Sequence, residues 1–257
     1  MITLHDVTAG YPGKSVLHIQ DLVFSSGILT LAGENGSGKS TLLKAILGAL
    51  PHTGTLLVNG QDPGALRPRD RARQIAYLPQ DTPAPDMTVR MLAFHGRFSR
   101  MGFSHRETAK DREAVARALA LTGMTALADR RLQTLSGGER KRAWLGLVIA
   151  QEAPCILLDE PGAGLDVRHE EELGQILLSL KALGHTVIVA SHDLQQSFAI
   201  SDKICLLERG AVLAMGSPGE LADRPDLLDR GLHLHLVPAG NQESLYPYIL
   251  AKPGAKQ

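Results

Sequence analysis

The chain has 257 residues, with 27 Lys plus Arg against 27 Asp plus Glu and a formal net charge of zero at pH 7. This balance gives no general attraction to nucleic acid or to an anionic membrane, so either partner would have to be met through a local patch. An apolar fraction of 44% supports a folded core and excludes gross disorder, and the length fits one large domain or a domain with a sizeable insertion, at roughly 150 residues per domain.

No run approaches the ~18 to 20 apolar residues of a bilayer span, Trp144–Ala150 being typical of the short ones, so the chain is not expected to cross a membrane by itself. The N-terminal stretch alternates like a strand and lacks the basic start, apolar centre and small-residue cleavage site of a secretory leader. Cys155 and Cys205 each sit inside an apolar, strand-like run, which argues against a disulfide framework and fits a reducing cytosol.

In chain order, Ile2–Gly10 reads as an antiparallel strand and Ile28–Ala32 as a buried one, followed by a glycine-rich loop and a helix over Ser40–Leu50. Thr55–Val58 and Ile75–Leu78 read as further buried strands. From about Pro83 to Ala150 no strand is convincing, whereas Glu113–Met124 and the stretch after Gly138 carry helical spacing. Cys155–Leu158, a helix over Asp166–Leu183 and the strand Thr186–Ala190 resume the alternation. Lys203–Glu208 and Ala211–Met215 flank Arg209-Gly210 as a hairpin, and Lys252–Gln257 has the composition of a disordered tail. Alternating strands and helices predict an α/β fold with a mostly parallel sheet and a helical subdomain inserted at about 83–150.

The segment Gly33-Glu34-Asn35-Gly36-Ser37-Gly38-Lys39-Ser40 matches G-x-x-x-x-G-K-[ST]. It follows a predicted strand and, with Thr41, opens a predicted helix, which is the context a phosphate-binding loop requires. Glycines let successive N–H groups turn inward around phosphate oxygens at the positive end of a helix. Lys39 then reaches the outer phosphates of ATP, and the Ser40 hydroxyl suits Mg²⁺. A glycine-rich turn with an unrelated lysine would not combine strand, loop, Lys-Ser pair and helix. Downstream, Cys155–Leu158 ends in Asp159 and Glu160, and strand C-termini in a parallel sheet face the ligand crevice. There Asp159 suits the Mg²⁺ environment and Glu160 suits a general base for an attacking water. Between these motifs, Leu135-Ser136-Gly137-Gly138-Glu139 precedes a helix and by itself reads either as a flexible helix entry or as a second anion nest.

That order of motifs resembles the ATP-binding cassette (ABC) ATPase family, and the resemblance covers nearly the whole chain. It implies a P-loop NTPase core with an N-terminal antiparallel β subdomain, an ATPase domain over 1–230 and a C-terminal extension over 231–257. It further implies that Tyr11 stacks on adenine, that Gln80 in IAYLPQ senses Mg²⁺ and the attacking water, and that His192 in VIVASHD is the switch histidine. Ser136, Gly137 and Gly138 become the signature, and Asp166 ends the loop that crosses to a partner subunit. Two sequence departures stand out: Glu139 where Gln is commoner, and Pro161-Gly162-Ala163-Gly164, whose glycines are expected to loosen the crossing loop.

The same resemblance implies a head-to-tail homodimer, with ATP on Lys39 of one chain covered by Ser136 and Gly137 of the other. It also implies two transmembrane permease subunits, an extracytoplasmic substrate-binding protein met only indirectly, and a location on the cytoplasmic face of the inner membrane. The flanks RPRDRARQIAYLPQ, AFHGRFSRMG and RAWLGLVIAQ look most like ATPases of the iron-siderophore, haem and cobalamin importers, with ferric siderophore favoured. An exporter ATPase is the nearer alternative. A nucleic-acid-acting ATPase would need a long coiled coil or large extra domains between the two nucleotide motifs, and no nucleic-acid partner is expected. Arg90, Arg97, Arg100, His105 and Arg106 make the insertion locally basic, where family members receive their permease. His233 and His235 lack a Cys or carboxylate at ligand spacing and read as part of a surface strand.

Overall fold

The computed structural model describes residues 1–101, 106–232, 235–238 and 248–251. Two sheets face each other across one helix. The smaller is antiparallel, with β1 (Ile2–Tyr11) flanked by β2 (Lys14–Phe24) and by β4 (His52–Val58). The larger contains β3 (Gly27–Ala32), β5 (Ile75–Leu78), β6 (Cys155–Asp159), β7 (Thr186–Ala190), β8 (Lys203–Glu208) and β9 (Ala211–Gly216), in the order β5-β6-β7-β3-β8-β9. Every neighbouring pair in it is parallel except β8–β9. β6 and β7 are buried at every position, as continuous apolar runs covered on both faces must be. In β2, by contrast, Leu17, Ile19, Leu22 and Phe24 are buried while their neighbours face water.

Helix α1 (Lys39–Ile46) lies between the sheets, with Leu42, Leu43 and Ile46 fully buried among Leu4, Leu17, Leu29 and Leu31. Truncating one of these leucines to Ala falls in the class of core losses costing ~2–5 kcal/mol. The helix ends earlier than predicted, because Gly48 takes φ 72 where a Cβ would lie 2.6 Å from the Pro63 carbonyl carbon.

The short α2 (Pro68–Gln74) precedes β5, and the helical insertion consists of α3 (Val89–His95), α4 (Ala109–Leu121) and α5 (Gly137–Ala150). Val89, Leu92, Val115, Leu119 and Val148 form one apolar core with Leu78, Leu158 and Val189 of the sheet. α2 grips the insertion from below, Arg69 and Arg73 both donating to the Ser99 carbonyl, at 3.0 and 2.8 Å.

On the far face run α6 (Val167–Ala182), α7 (Leu194–Ile200), α8 (Pro218–Ala222) and α9 (Pro225–Leu232). Beyond them β10 (His235–Pro238) pairs antiparallel with β11 (Tyr248–Ala251). His235 therefore opens a strand, while His233 and Lys252–Gln257 lie outside the described residues.

Three expectations are corrected. Thr55–Val58 belongs to the antiparallel sheet beside β1, not to the parallel alternation, because its register is set by pairing with residues some fifty positions earlier. β2 has no counterpart among the predicted strands. The basic character of the insertion is largely spent internally. Arg97 is 4% exposed and bonds Asp111 at 2.9 Å, Glu152 at 2.7 Å and the Ala150 carbonyl at 2.7 Å. Arg90 forks onto Asp129. Burial opposes ionisation of Asp111, yet hydrogen bonds from Thr108 and Arg97 hold its carboxyl below the usual range. His105 lies outside the described residues, and Arg106 is exposed.

Candidate nucleotide site

β3 delivers the chain to the loop at Gly33, where φ is 149 and a Cβ would come within 2.3 Å of the Leu207 carbonyl oxygen. Only glycine fits there. The loop turns through Gly36 and Gly38, both at positive φ, and enters α1 at Lys39. Lys39 is 5% exposed, and its ammonium folds back onto the carbonyls of Gly33 (2.7 Å) and Glu34 (3.0 Å). Burial lowers its pKa, against the opposing pull of Glu160 and Asp159. Ser37 Oγ is buried in the same loop without a hydrogen-bond partner.

Asp159 closes β6 with 3% exposure, and both its oxygens are engaged: Ser40 Oγ donates to Oδ1 at 2.8 Å and the Tyr77 hydroxyl to Oδ2 at 3.1 Å. Burial and then the neighbouring Asp159 raise the pKa of Tyr77. Glu160 follows at φ 49, its N–H donating to the Ala190 carbonyl at 2.9 Å. Gln80 Nε2 donates to Glu160 Oε2 at 3.2 Å, and His192 Nδ1 stands 3.7 Å from that oxygen. Asn35, Gly36, Lys39, Ser40, Gln80 and Glu160 face one cleft of about 500 Å³.

The signature residues are not in that cleft. Ser136 caps α5, its Oγ accepting from Glu139 N at 3.2 Å while the Glu139 carboxylate accepts from Ser136 N at 2.8 Å. The backbone N–H of Ser136, and after it the Ser136 hydroxyl, hold the Glu139 carboxyl below its ordinary range. A Gln at this position would close the same capping box, so the departure at Glu139 leaves the local geometry unchanged. Ser136 and Gly137 are exposed. Gly138 lies close enough to Leu165 that a Cβ would touch it at 3.4 Å, so the signature and the crossing loop of one chain meet. Asp166 caps α6 by accepting from His169 N at 3.0 Å, which lowers its pKa. Tyr11 is 43% exposed at the end of β1, beside Lys44, whose Nζ is 5.9 Å from the ring centroid.

A family model described as "ABC transporter" matches residues 21–163. The petrobactin import ATP-binding protein FpuD of Bacillus anthracis is 36% identical over 84% of this chain and 81% of its own length. The hemin import ATP-binding protein HmuV of Chelativorans sp. (strain BNC1) is 34% identical, over 96% of this chain and 98% of its own. This chain belongs to the ABC transporter family. A solved dimeric post-hydrolysis state of the ATP-binding cassette MJ0796, bound to ADP and Pi, shares the fold of this ABC ATPase at 24% identity, with a TM-score of 0.75 over 85% of this chain and 99% of that one.

The ABC ATPase offers its nucleotide a fitting environment. Ser37 Oγ is a buried hydroxyl without a partner in a loop of inward-turning backbone, and Ser40 with Asp159 forms an adjacent pair of hard oxygen donors. Mg²⁺ takes one or two such protein oxygens and completes its shell with phosphates and water. Among the described residues no group of three His, Cys, Asp or Glu could hold a metal.

Three residues at or around this site escaped sequence reasoning. Val16, on the unforeseen β2, lines the cleft. Tyr77, in IAYLPQ, carries no predicted role, yet its hydroxyl donates to Asp159. Lys141, on α5, donates to the carbonyls of Glu160 (3.1 Å) and Ala163 (2.5 Å). The alternation of KSVLHIQDLVF signals β2; nothing local signals the other two.

Proposed function

We propose that this ABC ATPase is the ATP-binding subunit of an importer that takes up a metal chelate, ferric siderophore ahead of haem or cobalamin, through separate transmembrane subunits. The observation that carries the chemistry is the convergence on one cleft of Lys39, the Ser40–Asp159 pair and Glu160 held by Gln80. Import is supported by relatives whose names state it. The near-equal identity to a petrobactin and a hemin protein leaves the cargo to experiment, and the flanking stretches support the metal-chelate importer group as a whole.

In this reading the loop from Gly33 to Gly38 binds the phosphates, Ser37 Oγ and Thr41 adding polar contacts, while Lys39 releases its two loop carbonyls to meet the terminal phosphate. Ser40, Asp159 and Gln80 would hold Mg²⁺, which would supply neutralisation of phosphate charge. Glu160 takes the proton of the attacking water, Gln80 and His192 fix its orientation, and Tyr11 stacks on the adenine. Ser136, Gly137, Gly138 and Asp166 serve the site of a second chain, for the signature lies exposed and outside its own cleft. Closing that sandwich excludes water from the phosphate being transferred.

The ATPase domain spans 1–230, with 83–150 as its helical subdomain and 231–257 as an extension. The assembly is a homodimer on two permease subunits at the cytoplasmic face of the plasma membrane, with a binding protein outside. No helix among the described residues is long and apolar enough to cross a membrane, consistent with a peripheral subunit.

Reconstitution with its permeases in vesicles tests the proposal. ATP-dependent uptake of a labelled ferric siderophore is expected, and ATP-driven movement outward, or uptake of haem or cobalamin alone, would overturn the corresponding part. Gln80→Ala is expected to reduce uptake more than ATP binding.

A further inference from the structure

Lys141 sits on α5, in the helical insertion, yet its two hydrogen bonds run to the core. One acceptor is the carbonyl of Glu160 and the other that of Ala163, in the loop leading to Asp166. Glu160 holds φ 49, a backbone region that a residue with a Cβ keeps only when its surroundings enforce it. The loop beyond it contains Gly162 and Gly164, and its internal ties are two turn hydrogen bonds, Ala163 N to Glu160 O (3.2 Å) and Leu165 N to Gly162 O (3.0 Å). A charged donor bonding two carbonyls at this turn is the strongest kind of hydrogen bond available to an otherwise loose segment. The amine is half-buried, and burial lowers its pKa, opposed by the charges of Glu160 and Asp81.

We propose that Lys141 is a positioning residue for hydrolysis: from the signature helix it pins the carbonyls of Glu160 and Ala163, so that the general base and the glycine-rich crossing loop are held in register with the helical insertion. The proposal rests on the reading of Glu160 as the base. Any shift of α5 against the sheet then changes the support of Glu160 within the same chain, a route from insertion to chemistry that needs no contact with the second subunit. It also answers the two glycines, since the flexibility they add is restrained by one side chain.

The test uses the full chain and three replacements. Lys141→Met keeps length without donors, Lys141→Gln keeps a shorter donor, and Lys141→Arg keeps charge and donors. Lys141→Met is expected to leave the ATP dissociation constant within ~3-fold while turnover falls ~10-fold or more, the scale of losing charge-assisted hydrogen bonds. Amide exchange at Ala163 and Leu165 is expected to quicken by a similar factor, a readout that needs no turnover. Lys141→Arg should restore most of the turnover. Gly162→Ala should recover part of the loss in the Lys141→Met background, because an added Cβ meets only Leu173 at 3.7 Å and reduces the freedom of the loop.

Unchanged turnover and local exchange in Lys141→Met overturn the proposal, as does a uniform rise in exchange across the chain, which marks a general loss of stability. If Lys141→Met does not fold, the split between binding and turnover in Lys141→Gln decides in the same way. Glu160→Gln is measured alongside: if it keeps normal turnover the reading of the base fails, whereas an inactive Glu160→Gln with a normal Lys141→Met refutes the positioning role alone.

Discussion

The phosphate loop and the signature are both glycine-rich entries into helices, but they finish in different states. At the loop, Lys39 is buried and bonded to two carbonyls, Ser40 is bonded to Asp159, and Glu160 is braced by Gln80. At the signature, Ser136 and Glu139 satisfy each other, the first two residues are exposed, and nothing of the chain's own cleft is reached. One end gathers a lysine, a hydroxyl and two carboxylates around one cleft; the other is a capped, exposed helix terminus, which the proposed function assigns to a ligand on another molecule. The difference teaches that two glycine-rich helix N-termini of similar chemistry can end in opposite surroundings, one enclosed beside buried carboxylates and one turned to solvent.

The predictions test that contrast, the largest first. Glu160→Gln keeps shape and removes basicity, so steady-state turnover should fall by ~10² to 10⁴ while ATP binding survives. Lys39→Ala removes the central cation of the receiving end and should abolish tight Mg-ATP binding in a fluorescent-nucleotide titration; near-normal affinity would sink the assignment of the loop.

In the Glu160→Gln background the presented end is tested by light scattering. ATP should trap a homodimer and ADP should not, and adding Ser136→Arg should dissolve it while one-chain binding persists. A dimer indifferent to that change would show that the signature is not shared. Ser136→Ala loses the helix cap and is expected to cost ~1 kcal/mol in urea unfolding.

The smallest effect belongs to Glu139→Gln, which should be close to neutral at pH 7. The Glu139 carboxyl lies below its ordinary 4.5 in the fold. Its carboxylate therefore adds stability that is complete above that value and is lost as pH falls through the depressed folded one. The variant should lose less stability than the parent between pH 7 and strongly acidic conditions. An identical acid limb would mean that the capping box contributes nothing through its charge.

The local features of this ABC ATPase were legible without coordinates. The strands Ile75–Leu78 and Thr186–Ala190 coincide with prediction, because an unbroken apolar run between turn residues has few other places to go. The phosphate loop was equally plain, since its glycines, lysine and hydroxyl act within a few residues of one another. The antiparallel partner β2 is signalled by the alternation of buried Leu17, Ile19, Leu22 and Phe24 with exposed neighbours, yet it has no counterpart among the predicted strands.

Tertiary structure alone decided the rest, and the reason is distance along the chain. Ser40 meets Asp159 across 119 positions and Tyr77 meets it across 82, and no periodicity in hydropathy encodes such a pairing. Arg97 looks like a surface cation until Asp111 and Glu152 are brought to it in the interior, where an unpaired charge could not stay. Lys141 looks like one more basic residue after the signature until α5 is laid against the turn at Glu160. What the amino-acid sequence determined by itself were the elements and the chemistry carried on single loops, because those depend on near neighbours. Which carboxylate, carbonyl or hydroxyl each of those groups would face was settled only when the sheet and the inserted helices packed together.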